Sequence, residues 1–249
     1  MTEICELLPW DSEFFDFRIG RVTTPHLSTK ILRGISAWCE ENHIECLYFL
    51  ADSGHGETTR LAEQNDFHLV DIRITQQKNL EGWHHGDQEQ LFAPAHIRPA
   101  RTADIATLRD IAKDNHTQSR FFYDPCFPIP LCQSLYQTWI EKSCRGYADY
   151  VLVSDSAGEA TGYVTCHLPT SESGAKIGLL GIEPAFQRQG IGRALVNAAL
   201  SWFVMNQVNS VSVATQGRNI SAQRLYQQCG FLTSDLQLWY HRWFAGCSI

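Results

Sequence analysis

Gln187-Arg188-Gln189-Gly190-Ile191-Gly192 stands between an apolar run and an amphipathic stretch. Glycines there let the main chain approach a ligand and turn N–H groups toward one point. The start of the following helix adds unpaired N–H groups and the positive end of its dipole. Such a loop suits a pyrophosphate. No Gly-Lys-Ser/Thr follows, and the third glycine of a dinucleotide fingerprint is missing, so neither of those phosphate loops is present. Two glycines at this spacing also shape ordinary tight turns, and Arg188 and Arg193 can meet a further phosphate or stay solvated. The loop by itself leaves these readings open.

A second segment runs from Asn219 through Ala222, Leu225 and Tyr226 to Gly230 and Phe231. Asn219 is an N-cap residue type and Gly230 a helix terminator. Ala222, Leu225 and Cys229 form a packing stripe with Tyr226 at its edge. A phenol there can act as a proton donor. The alternative is a core-edge tyrosine with its hydroxyl in water.

The elements that must hold these segments follow from periodicity. Helices are expected over Thr29–Glu41, Glu57–Asn65, a stretch with Ile105, Leu108, Ile111 and Ala112 on one face, Leu131–Ser143, Ile191–Met205 and Ser221–Cys229. Along Ile191–Met205 the inward positions read as Ile191, Ala194, Leu195, Ala198 and Trp202. Strands are expected over 45–50, 67–75, 95–98, 150–154, 162–168, 176–182, 210–215 and 236–243, with hairpin turns at Asp155–Gly158 and Ser171–Gly174. A polar stretch, 81–88, divides a small α/β unit (1–94) from a larger one (95–249). Its His84-His85 pair reads as linker rather than metal ligand, and no ligand spacing elsewhere predicts a metal.

Composition narrows the class. A chain of 249 residues with 44% hydrophobic and 19% charged side chains can bury a full core. The formal charge of −7 argues against a nucleic-acid partner. The start lacks the basic and apolar regions of an export signal, and no apolar run has membrane-spanning length. Nine cysteines without Cys-x-x-Cys pairs then read as reduced, mostly buried thiols. A cytoplasmic protein without membrane insertion is expected.

With both segments in view, the chain resembles the GNAT acetyltransferases. Gln187, Gly190 and Gly192 match that family's Gln/Arg-x-x-Gly-x-Gly/Ala loop. Asn219, Ala222, Leu225, Tyr226, Gly230 and Phe231 match its later Asn-x-x-Ala-x-x-Leu-Tyr-x-x-x-Gly-Phe segment. Gln189 departs from the Arg of many relatives, which touches one phosphate contact. Leu8-Pro-Trp10-Asp11 through Phe15, Gln118 through Phe127, and Leu135 through Glu141 further resemble the dTDP-fucosamine acetyltransferases.

The resemblance implies an α/β (α+β) GNAT fold, a mixed central sheet flanked by helices with a smaller N-terminal α/β domain contributing to the acceptor site. It implies acetyl-CoA as co-substrate, held by Leu180, Gly181, Ile182, Gln187, Arg188, Gln189, Gly190, Ile191, Gly192, Arg193, Asn219 and Tyr226. A backbone N–H between Leu179 and Ile182 would polarise the thioester carbonyl, with Gly178 and Gly181 permitting a bulge. Tyr226 would protonate the leaving thiolate.

Asp71 aligns with an acidic residue of the fucosamine enzymes and is the expected base, acting through water. His68, His116 and water alone are the alternatives. The implied acceptor is a nucleotide sugar, the 4-amino group of a dTDP-linked 4-amino-4,6-dideoxyhexose, with a homodimer as the expected assembly. For its binding, Arg120 either pairs with the pyrophosphate or braces Asp124, while Phe121, Phe122 and Tyr123 offer aromatic walls. Trp10 and Phe14 read as packing between the two units. A protein N-terminus, another small amine, or a non-catalytic acyl-CoA sensor are the competing functions.

Overall fold

Alternating and helical apolar patterns sort themselves onto the two faces of one sheet. The computed structural model describes residues 3–82, 96–170 and 174–244. The His84-His85 pair and the start of the turn expected at 171–174 lie outside them. The first unit runs β1 (Cys5–Leu7), α1 (Pro9–Phe15), β2 (Ile19–Val22), α2 (Thr29–Glu41), β3 (Cys46–Asp52), α3 (Gly56–Glu63) and β4 (His68–Asn79). The second runs β5 (His96–Pro99), α4 (Ile105–Asn115), α5 (Arg120–Tyr123), α6 (Ile129–Lys142), β6 (Tyr150–Ser156), β7 (Glu159–His167) and β8 (Lys176–Ile182). It continues through α7 (Ile191–Met205), β9 (Ser210–Gln216), α8 (Ile220–Gln228) and β10 (Leu232–Trp243).

The ten strands form one sheet in the order β1-β2-β3-β10-β4-β9-β8-β7-β6-β5. The last strand of the second unit therefore pairs between two strands of the first, and β4 pairs between two strands of the second. The two units share one hydrogen-bonded ladder across the expected boundary near residue 94.

Strand alternation then divides the core. Cys46 and Tyr48 of β3 join α1, α4, α5 and α6 on one face. On the other, Leu47 and Phe49 pack with α2 and α3, and Val211 and Val213 pack with α7 and α8. The buried side of α7 carries Ile191, Leu195, Val196, Ala199, Leu200 and Phe203. It is rotated from the expected stripe, because Ala194, Ala198 and Trp202 are half-buried at its border. Fully covering one such side chain, for example Leu195, is worth roughly 2 kcal/mol.

Among the described residues, seven cysteines are free thiols, six of them buried. Cys126 is the correction to an all-thiol expectation, being disulfide-bonded. Among the described residues, no helix is long and apolar enough to cross a membrane.

Candidate functional site

β8 and β9 are parallel but pair only at Lys176↔Ser212 and Ile177↔Val213. Beyond that point β9 pairs on with β4 and β8 with β7, so a wedge opens between them. A register shift lies between Val164 and Cys166 of β7, opposite the stretch of β8 from Ile177 to Leu180. It is the bulge anticipated from the glycines.

The bulge sets which N–H groups face the gap. Leu179 N–H donates to Thr165 Oγ1 at 2.8 Å, toward β7, and Glu183 N–H donates to Thr161 O at 2.9 Å, also toward β7. Alternation along the ladder therefore turns the N–H groups of Leu180 and Ile182 into the wedge. Asn115 Oδ1 accepts that of Ile182 at 3.0 Å.

The glycine loop closes one end of this wedge. Gly190 has φ 84°, a left-handed conformation that favours glycine, and Arg188 shares it at φ 60°. Gly192 is needed for a different reason, since a Cβ would come within 3.1 Å of Ile182 Cδ1 and Leu225 Cδ2. The N-terminus of α7 is thereby drawn against β8 and α8. The first helical bond is Ala194 N–H to Gly190 O, so the preceding N–H groups form the anion-suited end of a 15-residue helix. Gln187 and Gln189 use their side-chain amides to brace this turn, donating to Ile182 O and Ala185 O, each at 3.1 Å. Their side chains are loop supports.

Asn219 caps α8, its Oδ1 accepting from Ala222 N–H at 3.1 Å. Tyr226 is 5% exposed and belongs to the core on this face together with Leu195 and Phe231. It is more deeply covered than Ala222 and Leu225, reversing the expected order. Burial pushes its phenol well above the ordinary value, which keeps it protonated and a donor.

On the opposite face β4 carries Asp71, 4% exposed, directly across from Trp239 of β10. Its carboxylate accepts from Ile72 N–H at 2.9 Å and lies 3.8 Å from Arg218 Nη1. Burial raises its pKa to about 6, with Arg218 only partly opposing. A carboxyl held there can take a proton near neutral pH. Arg218 also donates to Val70 O at 2.9 Å and stacks 3.8 Å over the Tyr123 ring, leaving that ring 57% exposed.

Arg120 is enclosed. Its guanidinium lies 4.0, 4.2 and 4.3 Å from the Tyr48, Phe121 and Trp239 rings, and Nη1 meets His241 Nε2 at 2.7 Å. Guanidinium can only donate, so Nε2 accepts and His241 carries its proton on Nδ1. That proton is donated to Asp124 Oδ2 at 2.6 Å, which also accepts from Trp243 Nε1 at 3.0 Å. Burial alone would raise Asp124, but these bonds outweigh it and hold the carboxyl low. Arg120 thus braces Asp124 through His241. Phe121 is a core residue, buried against Phe15 and Phe127.

Of the other candidates, His116 is stacked on Tyr136 at 4.4 Å and bonded to the Tyr163 hydroxyl at 2.9 Å, with burial lowering it to about 4. His68 is exposed. Arg218 and Asn115 carry no periodic signal in the sequence. His241 does, since Trp239, His241 and Trp243 alternate onto one face of β10. Among the described residues, no three or more His, Cys, Asp or Glu gather as a metal site.

Residues 108–231 match the profile of the Acetyltransferase (GNAT) family. The spore coat polysaccharide biosynthesis protein SpsD of Bacillus subtilis is 26% identical over 147 residues, 59% of this chain and 50% of that protein. The dTDP-fucosamine acetyltransferase of Escherichia coli O6:H1 is 30% identical over 145 residues, 57% of this chain and 61% of that protein. The matches thus span half to about three-fifths of these relatives' lengths. A GCN5-related N-acetyltransferase from Sphaerobacter thermophilus shares the fold with a TM-score of 0.64 and 14% identity, covering 98% of this chain and 78% of that one.

Proposed function

The chain carries a GNAT-family acetyltransferase domain, and from that premise we propose that it transfers the acetyl group of acetyl-CoA to the amino group of a nucleotide-linked amino sugar. The 4-amino group of a dTDP-linked 4-amino-4,6-dideoxyhexose is the specific acceptor, in the cytoplasm, for surface-polysaccharide synthesis. The observation that carries the reading is the wedge between β8 and β9, with an anion-suited helix end and Tyr226 on one face and Asp71 on the other. The likeness to a dTDP-fucosamine acetyltransferase supplies the acceptor class.

The residues divide the work as follows. The loop from Gln187 to Arg193 and the start of α7 hold the pyrophosphate of acetyl-CoA through backbone N–H groups. The Leu180 N–H receives the carbonyl oxygen as the amine adds and negative charge develops there. Asp71, through a water, takes the proton that the attacking amine loses. Collapse of the tetrahedral species breaks the carbon–sulfur bond, and the Tyr226 hydroxyl protonates the departing thiolate. Asn219 fixes the helix that presents Tyr226, and Tyr123 offers its exposed ring to the acceptor. A homodimer is the expected assembly.

The test is mass spectrometry of reaction products from acetyl-CoA with dTDP-linked 4-amino sugars and, separately, peptide amines. An added acetyl mass on the sugar nucleotide is expected. Acetylated peptides with an unchanged sugar nucleotide would reject the acceptor class while leaving the fold intact.

A further inference from the structure

Of the two roles open to Arg120, pairing with a pyrophosphate or bracing Asp124, its contacts with His241 and three aromatic rings favour the second. Its Nη1 is thereby committed to the fold, and other cations are placed to meet an anionic acceptor. A cleft of about 510 Å³ lies between α1, the end of α6 and the β7–β8 pair, lined by Trp10, Asp11, Trp139, Lys142, His167 and Lys176. Its floor reaches Gly178 and Leu179, at the β8 bulge and next to the Leu180 N–H. A ligand seated there has one end beside the point of acetyl transfer.

We propose that this cleft binds the nucleoside-diphosphate amino sugar itself, with Lys142 and Lys176 on the diphosphate and the aromatic side chains on its flat and apolar faces. The inference rests on the acceptor class proposed above and assigns the residues that select it.

Charge supports the assignment. The chain carries a formal −7, yet two lysines line this cleft with one carboxylate, Asp11. An amino-sugar nucleotide has the complementary pattern, a diphosphate plus an ammonium. Burial first, then the neighbouring Lys176 charge, lowers the His167 pKa, so its neutral ring can donate one hydrogen bond without adding charge. Such a local field attracts an anion although the whole protein repels it.

The aromatic side chains are arranged as a wall and a mouth. Trp10 stacks on Phe14 and Trp139 at 5.1 and 6.5 Å, and Lys142 Nζ lies 4.1 Å over the Trp10 ring, which fixes the ammonium above an apolar surface. At the rim Tyr147 is 72% exposed and meets the His167 ring edge-on at 5.7 Å. It follows Gly146, whose left-handed φ of 104° ends the helical run after α6. The volume falls within the roughly 300–1,000 Å³ typical of small-molecule sites.

The probe is dTDP, titrated calorimetrically into the full chain and into the Lys142→Gln/Lys176→Gln double variant. Both lysines are exposed, so unchanged melting and acetyl-CoA affinity serve as the fold control, and Tyr147→Ala provides a second variant at an exposed position. Expected is dTDP binding to the unaltered chain, weakened at least about tenfold in the lysine variant and measurably in the tyrosine one. No dTDP binding, or equal binding by all three proteins, would overturn the subsite. The two readings separate in the product assay. An acetylated sugar nucleotide with unchanged KM in the lysine variant keeps the reaction and removes the subsite. Lysine-dependent dTDP binding without acetylated sugar keeps the subsite and removes the reaction.

Discussion

Asp71→Asn should make the protein more stable at neutral pH while removing the proposed base. The carboxyl is 4% exposed, and burial raises it from 3.8 to about 6 despite Arg218, the Ile72 N–H and Arg120. A carboxyl whose folded pKa lies above its unfolded value binds its proton more tightly in the fold. The associated stability is therefore full below about pH 4 and is lost as pH rises through about 6. At about 1.4 kcal/mol per pH unit, ionisation costs the fold up to roughly 3 kcal/mol near pH 7.5. Asn cannot ionise, and its carbonyl can still accept from Ile72 N–H. The variant should thus gain up to roughly 3 kcal/mol near pH 7.5, or roughly 6–12 °C in Tm for a chain of this size, and converge on wild type near pH 4. His116 and His241, both lowered to about 4 by burial, pull the wild-type curve the other way as pH falls from about 6.5 toward 4. Only the difference between the two proteins isolates Asp71. Urea unfolding at about pH 4, 5, 6 and 7.5 measures it. A variant less stable at pH 7.5, or a difference flat with pH, would refute the reasoning. In the same preparations kcat should fall about 10²–10⁴-fold, and wild-type kcat should rise with pH through about 6.

Tyr226→Phe keeps the buried ring and removes the donated proton, so kcat should drop about 10²–10⁴-fold with acetyl-CoA affinity unchanged by calorimetry. Gly190→Asp puts a side chain at φ 84° and a negative charge beside the anion site, so acetyl-CoA affinity should fall at least about tenfold in the same titration. His241→Leu deprives Arg120 and Asp124 of their shared partner and should cost about 3 kcal/mol in urea unfolding.

Elements with strong periodicity were readable from the chain alone. Thr29–Glu41 and Ile191–Met205 are helices with the expected ends, because an N-cap at Ser28 and the Gly190 turn punctuate them. α1 and α5, seven and four residues long, lack enough turns to show a period. The loop from Gln187 to Gly192 and the capped helix at Asn219 carried local backbone signatures, so both were legible. The surroundings of Arg120 were not: its partner His241 is 121 residues away, and only pairing of β10 beside β3 and β4 brings them together. Gln187 and Gln189 show the limit of a motif, which gives the loop but not whether a side chain faces the ligand or its own turn.

The interleaved strands explain how the proposed acid and base come to flank one gap although they lie in different units. Asp71 is on β4, held between β9 and β10, whereas Tyr226 is on α8, which follows β9 directly. The β9–α8 connection is tied back to β4 by Gly217 N–H to Ile72 O at 2.6 Å and by Arg218 Nη2–H to Val70 O at 2.9 Å. These two bonds bracket Asp71 and immediately precede the Asn219 cap of α8. The strand bearing the proposed base and the helix bearing the proposed acid are therefore tied to each other by one backbone bond and one from the Arg218 side chain, on opposite faces of the sheet. An amine entering from the Asp71 face and a thioester entering past Tyr226 would meet at the β8 bulge. Residues 95–249 by themselves would lack the strand that joins β9 to β10, and with it the carboxylate, so in the proposed mechanism the N-terminal unit is part of the site rather than an appendage to it.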